Sequence, residues 1–121
     1  MNADRPRYYH RDGSPIVTGD HIADMLVWAE RFEHDDENRC VLFDKRFLWR
    51  DEVSTIFLGL DHNFFGNGPP IIFETIVFRG GEPIYCERTS TEDEARHQHE
   101  HVRALCWYPL WLRKRLFSGW F

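Results

Sequence analysis

Two strongly apolar runs, residues 53–60 and 71–78, constrain this chain more than any other feature of its sequence. In the first run Val53, Thr55 and Phe57 alternate with residues that are also mostly apolar. A strand that is apolar on both faces is covered on both faces, so we expect each run to form a strand inside the domain. The connection between them is polar and rich in glycine and proline, which predicts a turn and an antiparallel pair.

Polar side chains follow the first of these runs and interrupt the second. Asp61, His62 and Asn63 directly follow the first strand, and Glu74 interrupts the second. A buried carboxylate needs a partner or a raised pKa, and carboxylates with imidazoles suit acid–base catalysis or a metal. The alternative is structural, because Asp and Asn close turns by bonding backbone amides, and His62 could bond a carbonyl. We favour the structural interpretation of this loop.

Two helices are predicted. The first is capped by Thr18 or Asp20 and should bury one face, and the second begins at a capping box formed by Thr91 and Glu94 and runs to about Cys106. The apolar face of the first helix consists of Ile22, Met25, Leu26, Ala29 and Phe32.

Three histidines occur in the sequence HQHEH of the second helix. At about 100° per residue His99 falls on the apolar stripe, whereas His97 and His101 point away from it. His97 and His101 could grip a metal together, but we favour solvated side chains and expect no metal site. We expect His99 to contact a polar residue of the sheet, with Glu74 or His62 as its partner.

The hairpin after the second run raises a question of register. A two-residue turn at 80–81 would place Glu74 opposite Glu87, and like charges facing one another are unfavourable. Either the loop is longer and includes Pro83, or a cation such as Arg88 or a bound metal lies between the carboxylates. We favour the longer loop, because Pro83 cannot donate a ladder hydrogen bond.

These elements predict a single α+β domain over residues 1–121. We expect a body over residues 1–106, in which two helices pack on an antiparallel sheet of about four strands in meander order, followed by an aromatic and basic helical tail over residues 107–121. The predicted strands are Cys40–Trp49, Val53–Leu60, Ile71–Phe78 and Ile84–Arg88.

The tail predicts an interface. It combines many aromatic residues with a cluster of bases, a composition typical of binding surfaces. It should pack on its own domain, on a second copy or on a partner protein. The residues that we expect to bind are Trp111, Arg113, Arg115 and Trp120, together with Asn63 in the loop.

Composition excludes several classes of protein. At 121 residues with 42% hydrophobic content the chain can build one core. No apolar stretch approaches the roughly 20 residues of a membrane span, and the polar start MNADRPRYYHRDG is not a signal peptide, so we expect a cytoplasmic location. The three cysteines, Cys40, Cys86 and Cys106, lack the spacing of a disulfide framework or a zinc site.

The charge is distributed unevenly. Residues 103–121 contain four bases and no acid, so the net charge of −5 leaves −9 on residues 1–102. A body this acidic repels phosphate backbones, which argues against nucleic-acid binding outside the tail. An acidic surface could imitate nucleic acid towards a basic partner, but we favour the simpler reading that it keeps the protein soluble.

A family resemblance is visible in several segments, namely the opening YYHRDGSPI, then VSTIFLGLDHNF, GPPIIFETIVF and RTSTEDEA, with His99 and Val102 in the following helix. They resemble a group of short uncharacterised proteins of bacteriophages, prophages and actinobacterial mobile elements, over residues 8–18 and 53–102. The resemblance implies a phage-type origin and no particular reaction. The chain departs from the pattern at 65–67, in the RGGEP hairpin and in the tail, which leaves the choice of partner open.

Two hypotheses about function follow. The first is a non-catalytic accessory protein that binds a host or phage protein in the host cytoplasm and modulates a host defence factor. The second is a small metal-binding or acid–base enzyme that uses Asp61, His62, Glu74 and His99. We favour the first, without a cofactor, because the chain has no nucleotide-binding loop, nucleophile elbow or metal-finger spacing.

Overall fold

A computed structural model describes residues 5–34, 39–46, 51–65 and 67–106. Within these ranges two helices accompany one antiparallel sheet of four strands in the order β1-β2-β3-β4, so the predicted α+β fold and meander are confirmed. The elements are α1 His21–His34, β1 Cys40–Arg46, β2 Asp51–Phe57, β3 Phe73–Arg79, β4 Glu82–Thr89 and α2 Glu92–Leu105. The predicted tail and its binding residues Trp111, Arg113, Arg115 and Trp120 lie outside the described residues.

The main core lies between α2 and one face of the sheet. Because side chains alternate along a strand, the cross-strand pairs Val53–Val77 and Thr55–Thr75 all point towards α2. Each of these four side chains is at most 1% exposed. The buried stripe of α2 consists of Ala95, His99, Val102 and Leu105, which confirms the helical periodicity predicted for it.

The first helix turns a different side towards the body from the one that was predicted. Asp20 caps it by accepting a hydrogen bond from the Ile22 amide at 3.1 Å. However, Ile22 and Leu26 of the predicted apolar face are 64% and 59% exposed. The opposite side faces the body, where Trp28 Nε1 donates to the Leu58 carbonyl at 3.1 Å. The side of α1 that carries Trp28 therefore faces inward, and the prediction that its apolar stripe is buried is wrong.

The hairpin between β3 and β4 has a two-residue turn with a bulge behind it. Gly80 and Gly81 both have positive φ, 58° and 84°, as a type I′ turn requires. Between Val77 and Phe78 the register then shifts by one residue, which places Glu74 opposite Arg88. The predicted longer loop is wrong, because the bulge removes the repulsion between carboxylates that made it necessary.

The N-terminal segment lies along the end of β2. Tyr8 pairs with Leu60 in an isolated bridge, and the Asp61 amide donates to the Arg7 carbonyl at 2.8 Å. Tyr8 and Tyr9 each form one isolated bridge, and these contacts fix residues 5–9 beside the loop that follows β2. No helix among the described residues is both long and apolar enough to span a membrane.

Candidate functional site

The loop between β2 and β3 is tied together by Asp61. Its Oδ1 accepts hydrogen bonds from the amides of Asn63 at 2.8 Å and Ile71 at 2.9 Å, and its Oδ2 accepts one from Arg5 Nε at 2.9 Å. The Asp61 side chain is only 5% exposed. One carboxylate therefore joins the start of the loop, its end and the N-terminal segment, as the structural interpretation of this residue requires.

The next two residues also brace the loop. His62 Nδ1 donates to the Leu60 carbonyl at 2.8 Å, because a carbonyl oxygen can only accept. Asn63 Nδ2 donates to the carbonyls of Asn67 and, at 3.1 Å, Pro69. All three side chains therefore form hydrogen bonds with the backbone of their own loop.

Two phenylalanines project from this braced loop. Phe64 is 61% exposed and Phe65 is 89% exposed, and the Phe64 ring lies 5.8 Å from the ring of His62. Only the polar residues of this loop were predicted as site residues from the sequence, and these two side chains were not among them. The signal that could have found them is the placement of adjacent aromatic residues inside a polar connection that is rich in glycine and proline.

Glu74 lies on the face of the sheet opposite α2. Its Oε2 accepts from Arg88 Nε at 2.9 Å and is 3.6 Å from Cys86 Sγ. Burial, followed by the neighbouring Glu74 carboxylate, raises the pKa of the Cys86 thiol above its ordinary value. A protonated thiol and a guanidinium therefore surround Glu74, which explains how a carboxylate is accommodated within an apolar strand.

His99 connects α2 to three strands. Its Nε2 donates to Asp44 Oδ2 at 2.7 Å, and its Nδ1 lies 2.8 Å from Thr55 Oγ1. Thr55 Oγ1 is in turn 2.6 Å from Thr75 Oγ1. The expectation that His99 contacts a polar residue of the sheet is confirmed, with different partners. Neither predicted partner is right, because alternation along β3 directs Glu74 to the other face and His62 bonds the Leu60 carbonyl instead.

The order of the groups in Asp44, His99 and Thr55 resembles a relay that activates a hydroxyl nucleophile. A nucleophile has to touch its substrate, whereas the side chains of Thr55 and His99 are both 0% exposed. The Thr55 hydroxyl is also bonded to a second hydroxyl on its other side. The geometry therefore fits a buried connection between α2, β1, β2 and β3 better than a reaction centre.

The four predicted site residues fall in three separate places. Asp61 and His62 lie at the loop, Glu74 lies on the face of the sheet opposite α2, and His99 lies under α2. Among the described residues no group of three or more His, Cys, Asp or Glu side chains could hold a metal ion. The histidines proposed as weak metal candidates, His97 and His101, are exposed on α2.

A scan against models of protein families found no match. A search of curated proteins and a search of solved structures also found no match.

Proposed function

We propose that this protein is a small non-catalytic accessory protein that acts by binding another protein through the loop at residues 61–71. In keeping with the resemblance to phage proteins, we propose a host or phage protein as the partner, such as a host defence factor. The observation that carries the proposal is the pair of exposed aromatic side chains, Phe64 and Phe65, on a loop whose backbone is fixed by Asp61 and Asn63.

The bracing of the loop matters for affinity. A flexible loop loses conformational freedom when it binds, and this loss weakens the complex. Here the Asp61 carboxylate and the Asn63 amide already fix the backbone on both sides of the aromatic pair. Aromatic side chains presented in this way are frequent anchors of protein interfaces, because each buries a large area at low entropic cost.

A second apolar surface supports a binding role. Val17, Ile22, Met25 and Leu26 are 65%, 64%, 42% and 59% exposed. In α1 the last three of these follow one another at helical spacing, so they form a continuous stripe on the solvent side. Exposed apolar stripes of this kind are typical of surfaces that a partner covers.

The test compares loop variants with a matched control. The double variant Phe64→Ser/Phe65→Ser changes the loop, and Phe43→Ser makes the same chemical change at a 52% exposed position in β1. After a partner has been identified by co-purification, calorimetry should show at least about tenfold weaker binding for the loop variant and unchanged binding for Phe43→Ser. Equal affinities of the loop variant and the natural chain would refute the proposal.

The acid–base enzyme is tested separately by Glu74→Gln and His99→Gln. Because both residues are bonded inside the fold, we expect each variant to lose stability and to keep its biological effect per folded molecule. Full stability with the biological effect abolished would instead overturn the preference for a binding protein. The readouts are unfolding by urea and the biological assay corrected for the folded fraction.

The segment 107–121 supplies a further proposed contact, with a partner or with a second copy of the chain. It carries aromatic and basic residues in sequence. Deleting it should lower solubility or abolish association, measured as molar mass in solution by light scattering. A truncated protein with unchanged solubility, mass and activity would show that this segment is dispensable.

A further inference from the structure

A cavity of about 320 Å³ opens between the N-terminal segment and the start of the loop. Its apolar wall includes Tyr8, Leu60 and Phe64, and its polar wall includes Arg5, Arg7 and Asp61. This volume is in the range of pockets that accept a single ligand group, and the mixture of apolar and polar walls is typical of binding sites. The cavity adjoins Phe64, one of the two aromatic residues by which we propose that the protein binds its partner.

The charge inside the cavity is opposite to that of the protein. Two guanidinium groups and one carboxylate line it, which gives a local charge of +1 in a chain of net charge −5. The carboxylate of Asp61 is already bonded to Arg5 and to two backbone amides. The charge of Arg7, whose side chain is exposed, is therefore the one that a ligand would meet.

One donor of Arg5 is buried without an acceptor. The Nη2 atom of Arg5 is covered from solvent and has no hydrogen-bond partner among the residues that the structure describes. Arg5 uses its Nε for Asp61 Oδ2, and its guanidinium also interacts with the Tyr9 hydroxyl, whereas Asp61 Oδ1 is occupied by the amides of Asn63 and Ile71. A buried donor without an acceptor is unfavourable, so a movement of the Arg5 side chain that brings Nη2 to a ligand oxygen would recover part of that cost.

We propose that this cavity binds a carboxylate carried on an apolar group, as presented by an acidic or C-terminal residue of the partner protein. The carboxylate pairs with the guanidinium groups of Arg5 and Arg7, and the apolar part of the ligand lies against Tyr8, Leu60 and Phe64. Carboxylates suit guanidinium groups because the pairing is both ionic and hydrogen-bonded. This proposal rests on the proposed function and identifies the group of the partner that the loop recognises.

The experiment uses two probes that differ only in charge. N-acetylphenylalanine carries an aromatic ring and a carboxylate, and N-acetylphenylalaninamide carries the same ring and a neutral amide. Each is titrated into the isotopically labelled full chain, and amide shifts are followed at Tyr8, Leu60 and Phe64. We expect the acid to shift these signals and to bind at least about tenfold more tightly than the amide.

Two variants locate the binding. Arg7→Gln removes an exposed charge of the cavity, and Arg96→Gln removes a charge on α2 outside it. Binding of the acid should weaken in Arg7→Gln and stay unchanged in Arg96→Gln. Arg5→Gln also breaks the ion pair with Asp61, so it is interpreted only where its spectrum shows a folded protein.

The outcomes separate this inference from the proposed function. Equal binding of acid and amide, shifts elsewhere in the protein, or no binding at saturating concentration would each overturn the carboxylate site. The titration needs no partner protein. If the Phe64→Ser/Phe65→Ser variant no longer binds the partner, the proposed function is therefore supported even when the acid probe does not bind. Conversely, the acid could bind selectively while the Phe64→Ser/Phe65→Ser variant still binds the partner with unchanged affinity. That result would refute the proposed function and leave the carboxylate site standing.

Discussion

The chain of hydrogen bonds from Asp44 to Thr75 predicts that two similar substitutions have different costs. Thr55 and Thr75 face each other in β2 and β3, and their side chains are 0% and 1% exposed. Each can be changed to Val, which keeps the shape and removes the hydroxyl. The two threonines differ in their position in the chain of hydrogen bonds. Thr55 Oγ1 lies between His99 and Thr75 and contacts both, whereas Thr75 lies at the end of the chain of hydrogen bonds.

The magnitude follows from counting the groups left without a partner. In the tautomer of His99 that carries its proton on Nε2, the ring donates to Asp44 and accepts at Nδ1 from the Thr55 hydroxyl, which itself accepts from Thr75. Thr55→Val leaves two buried groups unsatisfied, and we expect a loss of about 2–4 kcal/mol. Thr75→Val leaves the bond from Thr55 to His99 in place, and we expect a loss of about 1 kcal/mol or less.

The assay is urea unfolding followed by far-UV circular dichroism, with the slope of the transition compared among variants. The double variant should be more stable than Thr55→Val by about 1 kcal/mol, because it also removes the stranded hydroxyl of Thr75. Equal losses for the two single variants, or a double variant less stable than Thr55→Val, would show that the hydroxyls and His99 do not form this chain.

Three further predictions concern the turn, the loop and the start of α2. Gly80→Asn should be close to neutral and Gly80→Ala should lose about 1 kcal/mol in urea unfolding, because φ is 58° and no atom crowds the position; equal losses would contradict this. Asp61→Asn should lose about 2–3 kcal/mol in the same assay, because Arg5 loses its ionic acceptor, and an unchanged midpoint would refute that role. The hydrogen bond from Arg11 lowers the folded pKa of Glu92 below 4.5, so its stabilisation is present above that pH and is lost as pH falls through the lowered value. Glu92→Gln should therefore reduce the difference in unfolding free energy between neutral pH and about pH 3, and an unchanged difference would contradict the assignment.

Local patterns in the sequence were sufficient for the elements of the fold. The capping box at Thr91 marks the start of α2, and the periodicity of 3.6 residues places His99 on its buried stripe. The alternation and length of the apolar runs indicate β2 and β3 and their antiparallel pairing. These features depend on neighbours a few residues apart, so they can be derived from sequence alone.

The hydrogen bonds within the loop were also accessible to sequence reasoning. Asp61 bonds amides of its own loop and His62 bonds the carbonyl of Leu60, as the structural interpretation of this segment expects. The ion pair between Asp61 and Arg5 could not be predicted from sequence, because the two residues are 56 positions apart. Nothing in the local pattern around either residue indicates the other.

By itself the sequence determined the four strands and two helices of the described residues, the capping box of the second helix and the inward direction of His99. Only the tertiary structure decided the partner of His99, the register of β3 and β4, and the side of α1 that faces the body. A one-residue bulge sets Glu74 against Arg88, and a single hydrogen bond from Trp28 to the Leu58 carbonyl helps to turn the apolar stripe of α1 towards solvent. Such outcomes depend on the relative positions of distant segments, and the free energy of placing them is a sum over the whole fold that short-range patterns do not contain.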